Sequence, residues 1–198
     1  MAAHHAHSAC VYSTLLQRSS DFDTYKQILN PSYPDELDRI LWFSVVQMLW
    51  DRSEANGYAE HITDNPYPNT PRHQVLYEVA FGDHQVANVT ADVAARTTGA
   101  RILLPGLYAG RSPDKVPFWG ITPISFLPWN GSAIVYWDSL NPAPPLGNVA
   151  PSEPAYGNDP HEYPRRSALN QQQKSEFLRP NGAVVDVCGG LPCIAPAA

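Results

Sequence analysis

Long apolar runs are missing from this chain. No stretch is long enough to span a bilayer. The opening "MAAHHAHSAC" has neither a cationic start nor an apolar core, so it does not read as a secretory leader. No cluster of lysine and arginine offers a track for phosphates. Arg165-Arg166 is too short, and the net charge is -6, so a nucleic-acid surface is not expected. Cysteine is scarce, with three residues. Cys188 and Cys193 frame "CGGLPC", whose Gly-Gly and Pro favour a tight turn, so a local disulfide is sterically possible and would suit an exported protein. Zinc fits less well, because no second Cys or His pair stands at finger spacing. Cys10 would then be unpaired. His4, His5 and His7 read as part of a tail rather than a metal site. No HExxH spacing is present and no internal repeat occurs, so neither a metal nor another cofactor is expected.

What is present suffices for one domain. The chain has 198 residues, 43% of them hydrophobic and 16% charged. That permits a buried core and argues against wholesale disorder. Residues 1–31 read as irregular, 32–180 as the domain, and 181–198 as a tail carrying the cysteine turn. In "SYPDELDRILWFSVVQMLWDRSEANG", Leu37, Ile40, Leu41, Val45, Met48 and Leu49 recur at three- and four-residue steps. This predicts an amphipathic helix with those residues inward. Ser32 and Asp35 have capping-box spacing, Pro34 suits the first turn, and Gly57 is a stop.

After a polar loop, "QVLYEVAF" reads as a strand buried on both faces, as in a parallel sheet. Gly82 permits a sharp exit. "NVTADVAARTTG" follows as a helix with Val89, Val93, Ala94 and Thr97 on one side. "ARILLPGLYAG" holds a short strand and "SAIVYWD" a longer one. Residues 141–164 form a long Pro-rich loop. "RRSALNQQQKSEFL" returns to helix, with Ala168, Leu169, Gln172, Gln173 and Phe177 inward, and "GAVVDV" is strand-like. Strand, loop, helix in this order implies an α/β class with a mostly parallel sheet. Functional groups in such sheets gather at the carboxyl ends of strands.

Asp83 stands at such an end. A carboxylate at the mouth of a buried strand costs desolvation energy unless it is paired. His84 is its neighbour, but adjacent turn residues diverge. His161, in "NDPHEYPRR", follows the second good strand and precedes a helix, which makes Asp83 and His161 the natural pair. The bland alternatives are a turn-forming Asp83 and a solvated His161. Asp138 is a second acid candidate, and Glu162 suits a surface pair with Arg165 or Arg166.

In order and context, "GDHQV" and the later His161 resemble the C-terminal part of the α/β-hydrolase fold. There the acid often stands in an Asp-x-x-Val context, here Asp83 and Val86, and the histidine follows a late strand. The resemblance runs from about Val75 to Leu178. It implies a C-terminal portion of an esterase- or lipase-like protein acting on a small-molecule ester or acyl substrate. The family's Gly-x-Ser-x-Gly nucleophile turn is absent. Ser13, Ser19 and Ser20 lack flanking glycines, and Ser132 follows the acid. The chain alone is therefore expected to be inert and to associate with a missing N-terminal part. A non-catalytic binding domain with structural Asp and His is the alternative. Of the five tryptophans, Trp119 and Trp129 are candidates for an apolar cap over a substrate pocket; a carbohydrate platform is the other reading.

Overall fold

A computed structural model describes residues 2–6, 11–152 and 154–197. A row of parallel strands forms its centre. Strand β1 is Ala2–Ala6, β2 Gln74–Phe81, β3 Arg101–Ile102, β4 Ala133–Asp138 and β5 Cys193–Ile194. The order is β1-β2-β4-β3, and β5 joins β4. Every named pairing is parallel. Ala6 stands beside Glu78, and Phe81 beside Asp138. This is an α/β protein with an open, mostly parallel sheet.

Alternation along β2 and β4 divides the core in two. Val75, Tyr77, Val79 and Phe81, with Ile134 and Tyr136, pack against helix α5, Asn88–Thr98, through Ala91, Ala94 and Ala95. Leu76, Val135 and Trp137 face the other way, onto Phe177 of helix α7, Ala168–Leu178. Both sides are covered, which is why β2 reads as an almost continuous apolar run. Helix α5 ends at Gly99, whose φ of 65° is left-handed, a conformation glycine adopts at little cost.

Several expectations need correction. Residues 1–31 are not irregular throughout: they include β1, the short helix α1 (Tyr12–Leu15) and most of α2, Asp23–Ser32. The tail assignment of the opening segment fails over Ala2–Ala6; His7 and Cys10 lie outside the described residues. The tail from residue 181 also contributes a strand, since β5 adds to the sheet and the Ala195 N–H donates to the Asp138 carbonyl at 2.9 Å. "GAVVDV" makes only a single bridge, Val184 to Trp129. The expected disulfide between Cys188 and Cys193 is formed.

Helix α3, Glu36–Trp50, is where expected, but turned over. It buries Arg39, Phe43 and Gln47 and leaves Leu37, Leu41, Val45, Met48 and Leu49 exposed. The Arg39 guanidinium reaches the carbonyls of Tyr33 and Pro34 at 2.6 and 3.0 Å, so its burial is satisfied. Asp35 caps the helix by accepting from the Leu37 N–H at 2.8 Å, whereas Ser32 belongs to α2. In α7 the buried stripe is Asn170, Gln173 and Phe177; Ala168, Leu169 and Gln172 are exposed. Two short helices complete the set, α4 (Ala59–Thr63) and α6 (Tyr163–Arg166).

Candidate functional site

Strand β2 delivers Asp83 to the carboxyl edge of the sheet. Gly82, at φ 81°, makes the turn. Asn88 fixes it: its side chain donates to the Ala80 carbonyl at 2.7 Å and accepts from the Gly82 N–H at 2.9 Å. The first residue of α5 is thus stitched to the last turn of β2. Asp83 is 3% exposed. Its Oδ1 accepts from the Gln85 and Val86 N–H groups, each at 2.8 Å, which offsets its desolvation.

The structure brings Asp83 and His161 together. His161 Nδ1 lies 2.9 Å from Asp83 Oδ2 and 3.1 Å from Oδ1. With Nδ1 turned to the carboxylate, the tautomer that donates from Nδ1 is favoured, and Nε2 becomes the nitrogen for proton exchange. Burial lowers the His161 pKa. The hydrogen bond and charge of Asp83, with the charges of Asp159 and Glu162 behind it, outweigh that effect and hold it above the ordinary histidine value. Glu162 Oε1 is 3.8 Å from Nε2 and 3.0 Å from Arg165, its expected surface partner.

Asp159 ties the two loops together. It accepts from the backbone N–H groups of His84 and His161 at 3.1 and 3.0 Å, and from the Gln85 side chain at 2.8 Å. Sequence reasoning did not single it out; its only signal is a place two residues before His161. From the other side, the Ser20 N–H and hydroxyl both donate to the His84 carbonyl, at 2.8 and 3.0 Å. His84 is buried, and it is His161 that contacts Asp83.

Asp138 is occupied differently. It is fully buried and takes a two-pronged contact from Arg111, at 2.7 and 2.6 Å, plus the Leu140 N–H at 2.8 Å. Arg111 also bonds the Asn141 carbonyl at 2.8 Å. That geometry anchors the start of the loop after β4 and leaves no histidine on the acid.

Beside Asp83 opens a cavity of about 200 Å³. Phe81, Leu107, Phe118 and Leu146 give it apolar walls, and the Tyr136 hydroxyl donates to Asp92 at 2.6 Å. Burial raises the pKa of Asp92, and the same cause lifts Tyr136. The expected tryptophan cap is not formed over this cavity. Trp129 lies at the amino end of β4, where its indole donates to the Ser132 carbonyl at 3.1 Å and Arg101 stacks on it. Trp119 is 70% exposed beside Arg96. Phe118 takes the lining position instead. Among the described residues, no cluster of three or more His, Cys, Asp or Glu side chains is placed to hold a metal ion.

None of the serines considered from sequence has the nucleophile's setting. Ser132 Oγ accepts from the Val75 N–H at 3.1 Å, at the amino edge of the sheet. Ser19 Oγ caps Asp21, and Ser20 serves His84. One further serine, Ser8, stands ahead of the acid and the base in the chain. Strand β1 ends at Ala6 and α1 begins at Tyr12. The chain between them begins His7-Ser8-Ala9-Cys10, outside the described residues. Ser8 has no flanking glycine, and the strand before it is short and rich in alanine and histidine. Neither motif nor periodicity marks it.

No family model matches this chain, and neither a curated protein nor a solved structure is detectably similar to it. What stands on the geometry is an open parallel α/β sheet with a buried carboxylate bonded to a half-buried imidazole at its carboxyl edge.

Proposed function

We propose that this chain carries the acid and base of an α/β-hydrolase-type enzyme that cleaves an ester or related acyl bond. The Asp83–His161 contact carries the reading, because it joins loops from two parallel strands at the sheet edge where such sheets bind ligands. In this reading Asp83 fixes the imidazole and stabilises its protonated form. His161 takes a proton from a hydroxyl nucleophile and returns it to the leaving group. Ser8 is the nucleophile of choice. It follows β1 and precedes α1, ahead of the acid and the base in the chain. In the Ala6–Glu78 register β1 runs parallel to β2 and ends three residues short of its last residue, Phe81, heading toward the edge from which Asp83 emerges. With Ser8 admitted, the expectation of an inert chain gives way to a testable one. The cavity beside Asp83 would take a short, largely apolar acyl or alcohol group.

The test is turnover of short-chain p-nitrophenyl esters by the purified chain, with fluorophosphonate labelling read by mass spectrometry. The label is expected on Ser8. Asp83→Asn should lower kcat by about 10⁴, with Ser8→Ala and His161→Ala leaving only background. Turnover that survives His161→Ala removes the dyad from the chemistry. An inert, unlabelled chain that Asp83→Asn merely destabilises favours the non-catalytic binding domain.

A further inference from the structure

Helix α3 turns its apolar side to solvent. The buried positions are Arg39, Phe43 and Gln47. On the opposite side run Asp38, Leu41, Val45 and Met48, and Arg52 follows in the turn two residues past the helix end, continuing the alternating three- and four-residue steps. Leu41, Val45 and Met48 are 66%, 65% and 71% exposed. That spacing is the seam of a helix that pairs with another helix. The seam has an acidic residue, Asp38, in its first turn and a basic one, Arg52, just past its last turn. Asp38 and Arg52 are both exposed, and neither forms an ion pair among the described residues.

We propose that a second copy of this chain covers this face, with the two α3 helices antiparallel about Val45. This inference stands apart from the hydrolase reading. In that arrangement Val45 meets its counterpart, Leu41 faces Leu49, Trp42 faces Met48, and Asp38 of each copy meets Arg52 of the other. A concavity of about 370 Å³ between Tyr33, Leu41, Trp42 and Val45 receives the Met48 side chain of the second copy. The exposed parts of Leu37, Leu41, Trp42, Val45, Met48 and Leu49 total roughly 700 Å², close to the ~800 Å² per partner of a standard interface. A contiguous apolar patch of this size marks an interaction surface. A membrane fits poorly as the occupant. Helices that lie on anionic lipid carry lysine and arginine around the apolar face, whereas α3 begins with Glu36 and Asp38 in a chain of net charge -6.

Sedimentation velocity over a concentration series tests this, in a Cys10→Ser background so that disulfide-linked dimers do not count. The expected species is twice the 21.8 kDa chain mass. Val45→Glu should give a monomer with an unchanged circular dichroism spectrum. Asp38→Arg should weaken the dimer about tenfold, since two pairs turn repulsive. Adding Arg52→Asp to Asp38→Arg should restore it. A monomer at all concentrations up to ~100 μM, far above the Kd expected of a standard interface, overturns the proposal. So does association indifferent to Val45→Glu, or a double charge reversal that fails to rescue. Flotation with anionic vesicles that Val45→Glu abolishes would assign the face to a membrane instead.

Discussion

Glu78 is the residue least at ease in this fold. It is 1% exposed, on the α7 side of β2, and the Trp137 indole donates to its Oε2. Among the described residues no hydrogen bond reaches its Oε1 within ordinary geometry. Burial pushes its pKa up to about 8, against the lowering effects of Trp137, Lys174 and Asn170. The sign of the consequence is fixed. Below about pH 4.5 both folded and unfolded chains hold the proton, and the contribution is fully present. As pH rises the unfolded chain ionises first, so stability falls until the folded carboxyl ionises near 8. At pH 7 the loss is about 3 kcal/mol. Glu78→Gln removes the titration and keeps the shape. Its melting temperature should vary less between pH 5 and 8 than that of the parent. Parallel melting curves across that range would show that Glu78 is not the cause. In the sequence Glu78 appears only as an interruption of an apolar run, because a pattern of residue types does not say which buried position lacks a partner. Asp83 is easier to read, since its place after a strand and a glycine defines an edge.

At the level of elements, the stitch between β2 and α5 matters most to the site. Asn88 joins the Ala80 carbonyl to the Gly82 N–H and so sets the direction in which Asp83 leaves the sheet. Asn88→Ala should cost about 1–2 kcal/mol, the range for losing a side chain that satisfies buried backbone groups. It should also lower kcat, since the dyad is displaced, and raise KM, since Asn88 lines the cavity beside Asp83. A variant with full activity and lowered stability would confine Asn88 to the fold. Elements were legible where they were long and clearly periodic; α2, ten residues long with Pro31 inside it, was not. Strand β2, strand β4 and helices α3, α5 and α7 follow from period and punctuation. Strands β1, β3 and β5 have five, two and two residues, too few for alternation to register. The faces of α3 and α7 were misread for another reason. Periodicity shows that a helix has an apolar side, but only neighbouring elements decide which side is buried. Arg39 could turn inward because two carbonyls receive it. Asn170 and Gln173 of α7 lie beneath the same sheet as Glu78.

For the molecule as a whole, the carboxyl-terminal segment acts as a clasp. The disulfide closes a turn just before β5, and β5 extends the sheet beside the end of β4. Asp186 helps hold the turn, accepting from the Cys188 N–H at 2.8 Å and from the Gly190 N–H. A cross-link spanning so few residues removes little chain entropy, so Cys188→Ala with Cys193→Ala should cost about 2 kcal/mol. Chemical denaturation checks this. A loss several times larger would mean that β5 detaches and uncovers Trp137. The sheet class was legible from the alternation of strand and helix. Its order was not, because nothing in the opening residues indicates that they run beside β2.

One carboxylate, that of Asp159, holds amide protons from both arms of the site. The His84 and His161 N–H groups share Oδ1 of that residue across 75 and two positions of chain. If the stretch after β4 lifts as a unit, both protons meet solvent in the same event. Their deuterium uptake should therefore follow one time course, and Asp159→Asn should speed both together.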